Sequence, residues 1–229
     1  MVRDSLLARE IEKLKERLLA LGGLVERALA EAVRAVEARD AAAAQRVIDG
    51  DQQIDRMEVD VEEECLKLLA LHQPVAIDLR FIVAVLKVNN DLERIGDHAV
   101  SLAEHVVLAA DRPPTELAFD FPVMARQAQR MLKDSLDALV GQDAELATRV
   151  CAADDEIDEI NRGMYRAVER EIVRQPDRAS AYINQIGISR CVERVADLAT
   201  NIAEDVVFAN TGRLIRHNRL SKEELDKLA

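Results

Sequence analysis

Residues 40–55 read DAAAAQRVIDGDQQID, and residues 143–158 read DAELATRVCAADDEID. At a constant offset of 103, Asp40, Ala41, Arg46, Val47, Asp51, Ile54 and Asp55 recur as Asp143, Ala144, Arg149, Val150, Asp154, Ile157 and Asp158. Further on, Gln73-Pro74 matches Gln175-Pro176 at an offset of 102. Glu93-Arg94 and Asp97 match Glu193-Arg194 and Asp197 at an offset of 100. Small length changes around the Gln-Pro pairs account for the drift. The chain is an internal duplication, and the fold is to be read from one half at a time.

Composition sets the class. Of 229 residues, 49% are hydrophobic and 32% charged, with 3% aromatic and no Trp. Such a chain suits long packed helices, not a sheet. Apolar residues recur at helical spacing, as in Ile82, Val85, Leu92, Ala99 and Val106. The pattern predicts helices over 6–38, 40–72 and 75–110, and again over 122–140, 143–174 and 177–211. At about 1.5 Å per residue the longest would reach roughly 50 Å. Three long amphipathic helices with short turns bury their apolar faces most simply as an antiparallel bundle. The expected architecture is all-α: two tandem three-helix bundles, over 1–112 and 122–212. Residues 113–121 form a proline-containing linker and 213–229 a basic tail. Pro74 and Pro176 fit the first turn of a helix in each half, and Pro113, Pro114 and Pro122 mark the linker.

A formal net charge of −12 and a pI near 4.9 argue against nucleic acid, which selects basic surfaces. The start MVRDSLLAREIEKLKER carries charge from its third residue, unlike a secretory signal. The longest stretch free of Asp, Glu, Lys and Arg, 179–189, is far shorter than the roughly 20 residues a membrane crossing needs. A cytoplasmic protein is expected, recruited to a membrane only through others. Cys65, Cys151 and Cys191 are scattered and form no CxxC pair, so they read as small core residues.

The chemistry of interest lies in repeated carboxylates. Asp51 and Asp55 stand one helical turn apart, and so do Asp154 and Asp158; Glu58 and Glu62 extend the first face, where the second has Asn161 and Tyr165. On the third helix of each half, Glu93 and Asp97 share a face with Asn90 and Glu104. Their counterparts Glu193 and Asp197 share one with Arg190 and Glu204. Like charges at that spacing destabilise a helix. If the second and third helices of each half are neighbours, four carboxylates converge in each bundle. They must then be protonated, paired with Arg or bridged by a cation. Arg94 and Arg194 adjoin the pairs and keep ion pairing open, but four repeat-equivalent pairs favour the cation. All-oxygen donors suit Mg, Ca, Mn or iron and disfavour zinc or copper. A ferritin-like di-iron enzyme would carry Glu-x-x-His. The residues three before His72, His98, His105 and His217 are Leu69, Ile95, Leu102 and Leu214. There is no phosphate loop at Gly22-Gly23 and no nucleophile motif.

Residues 73–99, QPVAIDLRFIVAVLKVNNDLERIGDHA, and 192–217, VERVADLATNIAEDVVFANTGRLIRH, closely resemble the PhoU family of phosphate-signalling proteins. The resemblance spans nearly the whole chain, including its duplication. It implies two pseudo-symmetric three-helix bundles and metal clusters held by E(D)xxxD motifs. These fall on Asp51/Asp55, Glu93/Asp97, Asp154/Asp158 and Glu193/Asp197. It further implies a non-enzymatic negative regulator of phosphate uptake that works with a PstB-type transporter ATPase and a PhoR-type sensor kinase, and it is compatible with a homodimer. Two other readings stand beside it: a metal-dependent bundle enzyme and a helical scaffold without metal. Arg190 in place of Asn90, and Asn161 in place of Glu58, predict a weaker second site.

Overall fold

The computed structural model describes residues 2–111, 115–116 and 118–213, with side chains from residue 6 onward. The basic tail from residue 214 and part of the linker (112–114 and 117) lie outside the described residues. The described residues form seven α-helices: α1 (Val2–Ala38), α2 (Ala41–Gly50), α3 (Gln52–His72), α4 (Ala76–Ala109), α5 (Phe121–Gly141), α6 (Ala144–Arg174) and α7 (Ala179–Thr211). A 3₁₀ turn, Pro176–Arg178, leads into α7. The described residues contain no strand.

Helix starts follow the repeat. Asp40 accepts hydrogen bonds from the backbone N–H groups of Ala42 and Ala43 at 2.9 and 3.0 Å, and its counterpart Asp143 accepts from Leu146 at 2.8 Å. Both satisfy donors that a helix start leaves orphaned. Asp120 caps α5 in the same way, with Pro122 in its first turn. The caps that end α3 and α5, Gln73 and Gln142, both adopt the left-handed conformation.

Two expectations are corrected. Residues 40–72 do not form one helix: the chain is interrupted at Asp51, whose N–H bonds to Ile48 O at 3.4 Å while its backbone stays helical. The duplicate region runs unbroken through α6. The difference lies at Gly50, a poor helix former whose repeat partner is Ala153. Pro74 sits not in the first turn of α4 but in the turn before it, and Pro176 opens the 3₁₀ turn.

α1, α2–α3 and α4 form one bundle and α5, α6 and α7 the other. The halves join chiefly along α4 and α7, with α1 against α5 as a second seam. α4 and α7 run antiparallel: Arg80 Nε donates to Ala209 O at 3.3 Å, and at the other end His105 meets Asn184. Ile82, Val85, Leu92 and Ala99 are fully buried and Val106 nearly so. One continuous core therefore runs through both halves, with Leu14, Leu21 and Leu29 of α1 and Met124 and Leu132 of α5 inside it. Cys65 and Cys191 are buried and Cys151 half-buried, all as free thiols. Burial pushes Cys65 and Cys151 up to about 12 and Cys191 to about 11, so each stays an inert thiol at neutral pH.

Candidate metal centres

In the first bundle α3 and α4 pack side by side, with Asp51 and Glu93 half-buried beside the contact and Asp55 and Asp97 exposed. The two helices approach closely at Gly96. A Cβ there would stand 3.1 Å from Ile54 Cδ1 and 3.3 Å from its Cγ2, so the missing side chain lets Ile54 pack tightly onto α4, with Asp51 Oδ1 in ordinary contact range at 3.7 Å. Burial, then Asp55, then Asp97 across the helix pair raise the proton affinity of Asp51. Glu93 is raised by burial, then by Asp97, Glu58, Asp55 and Asp51. The four expected carboxylates thus form one electrostatic cluster, joined by Glu58, itself raised by burial and by Glu62 and Asp55.

Among the described residues no positive charge pairs with this cluster. Arg94 turns back along its own helix toward Asp91, at 3.7 Å. Among the described residues, no Lys or Arg stands within ion-pair distance of Asp51, Asp55, Glu93 or Asp97. Sequence reasoning missed Asn89, which is buried on the contact of α3 with α4. Its Nδ2 donates to Glu58 O at 2.9 Å and to Glu58 Oε1 at 3.0 Å, while its Oδ1 is buried without a partner. Asn90, expected on the acidic face, is exposed beside Asp91 and Arg94 instead. The signal was present: Asn89, Glu93 and Asp97 follow one another at intervals of four.

The second bundle repeats the plan with different charges. Burial, then Asp197, Asp158, Asp155 and Glu193 push Asp154 up to about 6. Glu193 is raised by burial and Asp197 but relieved by Arg194. Asp197 is raised by burial against the pull of the same guanidinium. Arg194 Nη1 donates to Asp197 Oδ2 at 2.8 Å and its Nε lies 3.7 Å from Glu193; Arg162 stands 3.7 Å from Asp158. At the position of Glu58 is Asn161, which accepts a 2.8 Å hydrogen bond from Ser189 Oγ. Arg190 is exposed and ranks last among the charges acting on Glu193. The charge difference between the halves therefore rests on Arg194 and Asn161, with Arg190 a minor contributor.

His98 is half-buried between the two clusters, its proton affinity lowered by burial and Arg94 against the pull of Asp97. It is a helix-contact residue. The donors of both clusters are oxygens, the chemistry a hard cation selects. As placed, no three Asp, Glu, His or Cys side chains among the described residues stand close enough to hold one ion together. Holding one requires the flexible carboxylates of α3 and α4 to turn inward, where the orphaned Asn89 Oδ1 offers a further neutral oxygen.

An all-helical chain with one three-helix unit used twice, and a carboxylate cluster on the second and third helices of each, defines a narrow class. The PhoU domain model matches this chain twice, over residues 18–106 and 121–206. The chain belongs to the PhoU family. It is 36% identical over 220 residues to the phosphate-specific transport system accessory protein PhoU homolog of Pseudomonas aeruginosa, covering 95% of this chain and 91% of that protein. It is 33% identical to the homolog of Aquifex aeolicus, covering 95% and 98%. The crystal structure of PhoU from Pseudomonas aeruginosa superposes with a TM-score of 0.87 at 35% identity, covering 90% of this chain and 99% of that one. The phosphate transport system regulatory protein PhoU from Streptococcus pneumoniae superposes at 0.81 with 30% identity, covering 91% and 98%. Among the described residues no helix is long and apolar enough to cross a membrane.

Proposed function

We propose that this chain is a non-enzymatic, metal-binding regulator that restrains phosphate uptake and the genes serving it. In this reading it acts as an adaptor between the ATPase of a phosphate transporter, of PstB type, and a PhoR-type sensor kinase at the inner face of the membrane. Its relatives, phosphate-specific transport system accessory proteins, support the phosphate system as its setting. The observation that carries the metal reading is the first carboxylate cluster. Asp51 and Glu93 have their proton affinity raised partly through each other's helix, with no Lys or Arg among the described residues within ion-pair distance of them. A bound divalent ion reverses that penalty, because each repelling carboxylate becomes a ligand. Asp51, Asp55, Glu93 and Asp97, with Glu58 and Asn89 nearby, would hold it in the first bundle. Asp154, Asp158, Glu193 and Asp197 would do so in the second. Mg, Mn, Ca and iron all suit oxygen donors of this kind. The ion's part is to fix the relative placement of α3 and α4, and so the surface offered to a partner.

The regulatory reading is tested by deleting the gene and measuring transcripts of the phosphate-uptake genes at high phosphate. Expression that stays on, and returns to repression on complementation, is the expected result. Normal repression in the deletion strain, with no second copy in the genome, overturns it.

A further inference from the structure

The α4–α7 seam brings repeat-equivalent positions into two contacts that the repeat should make alike. At one, Lys87 of α4 pairs with buried Asp205 of α7 at 3.1 Å. At the other, the same two repeat positions are occupied by Gly187 and His105. The imidazole fills the place where a side chain at 187 would go: a Cβ on Gly187 would lie 2.2 Å from Cε1 and 2.3 Å from Nε2. Glycine is required there for the ring to sit down on α7.

The ring is held in one tautomer. Asn184 is buried, and its Nδ2 donates to the backbone oxygen of His105 at 3.1 Å, which fixes the amide orientation. Its Oδ1 therefore faces His105 Nδ1, at 2.8 Å, and the neutral ring carries its proton on Nδ1. Nε2 remains as a hydrogen-bond acceptor. The next residue of α7 locks a wall beside it. Buried Gln185 donates to Glu116 O at 2.8 Å and accepts from Ala118 N at 2.9 Å, tying these two residues to α7.

These groups border a cavity of about 410 Å³ whose other walls include buried Val36, Val106, Phe121 and Ile188. It shares no residue with the carboxylate clusters. Its volume falls in the range of small-molecule sites, and its make-up is typical of them: apolar walls and a few fixed polar atoms. Its charge is balanced. The first turns of α5 and α7 and the last turns of α1 and α4 all reach it, so opposed helix dipoles cancel. At its mouth, exposed Glu37 and Arg39 carry one charge of each sign.

We propose that this cavity binds a neutral, largely apolar small molecule that donates an N–H or O–H hydrogen bond to His105 Nε2. A charged ligand gains nothing from walls whose described charges balance, and a pure hydrocarbon leaves the oriented imidazole unused.

The test follows the histidine Cε1 resonances of the full chain, labelled with carbon-13 there, during titration with indole and separately with 1-methylindole. His105→Gln identifies the His105 signal by its loss. The expected result is a saturable one-site shift of the His105 signal by indole, with 1-methylindole binding about five-fold more weakly for want of the N–H donor. Ala109→Phe, which fills the cavity, should weaken indole binding at least tenfold. Gly187→Ala should move the His105 signal before any ligand is added. An unmoved His105 signal at saturating indole, equal affinity for the two probes, or unchanged binding to a folded Ala109→Phe variant overturns the proposal. The wild-type comparison of the two indoles decides the matter even if Ala109→Phe and Gly187→Ala both fail to fold.

Discussion

Ser189 Oγ donates a 2.8 Å hydrogen bond to Asn161 Oδ1 at the place where, in the other half, Asn89 Nδ2 donates to Glu58 Oε1 at 3.0 Å. The duplication preserved a polar bridge between the second and third helices of each bundle. It removed a carboxylate from one copy. Together with Arg194, which neutralises Asp197 and Glu193, this exchange leaves the second cluster closer to charge balance than the first.

The first prediction concerns that asymmetry. Metal titration by calorimetry should give a tight and a weak phase, with Glu93→Ala/Asp97→Ala abolishing the tight one. Glu193→Ala/Asp197→Ala should remove only the weak one. Replacing Arg194 by Gln should strengthen the weak phase by roughly 0.2–1 kcal/mol, the scale of a solvent-screened ion pair. Equal affinities in the two halves would refute the assignment.

The second prediction is a pH dependence. Asp51, Glu58, Glu93, Asp154, Glu193 and Asp197 are all raised above their ordinary values, Asp154 to about 6. A carboxylate that is harder to ionise when folded than when unfolded costs nothing while protonated in both states. Its penalty grows as pH rises through the unfolded and then the folded value. In chelator, the protein should therefore be more stable near pH 5 than near pH 7.5. Asp154→Asn should flatten that slope between about pH 4 and pH 6. Urea unfolding across this range checks it, and a stability that climbs steadily with pH would contradict it.

Much of this molecule could be read from its residues. The offset of 103 placed both bundles and both acidic faces, because a repeat fixes equivalent positions without any knowledge of packing. Identity at an offset also hides differences: Gly50 against Ala153 broke one helix and not its twin. The choice between Asn89 and Asn90 depended on which side of α4 meets α3, and the interval of four from Glu93 carried that information. The cavity beside His105 was not legible. It is assembled from α1, α4, the linker, α5 and α7, and the duplication gives no hint of it because its key positions differ between halves. Arg194 was noticed as a neighbour of the second pair, but only the structure turns it onto Asp197 while Arg94 turns away.

The third prediction follows from the helix break. A Cβ added at Gly50 would meet nothing within 4 Å, and the backbone there is helical. Gly50→Ala should therefore stabilise the protein by about 0.5–1 kcal/mol, through lower entropy of the unfolded chain and better helix propensity. A shift in the urea midpoint at constant slope measures it. A loss of stability would mean that the break at Asp51 serves the carboxylate cluster, not local propensity.

The central claim is the proposal that the first carboxylate cluster holds a cation, which relieves its repulsion. It is tested most directly by thermal melting of chelator-treated protein with and without Mn, Mg or iron, for wild type and for Glu93→Ala/Asp97→Ala. At a hundred times the dissociation constant, metal should stabilise wild type by about 2.7 kcal/mol, or roughly 5–10 °C. The double variant should melt higher than wild type in chelator, because repelling charges are gone, and should respond to metal far less. A wild type that ignores every one of these ions, or a double variant that shifts as much as wild type, would contradict the account.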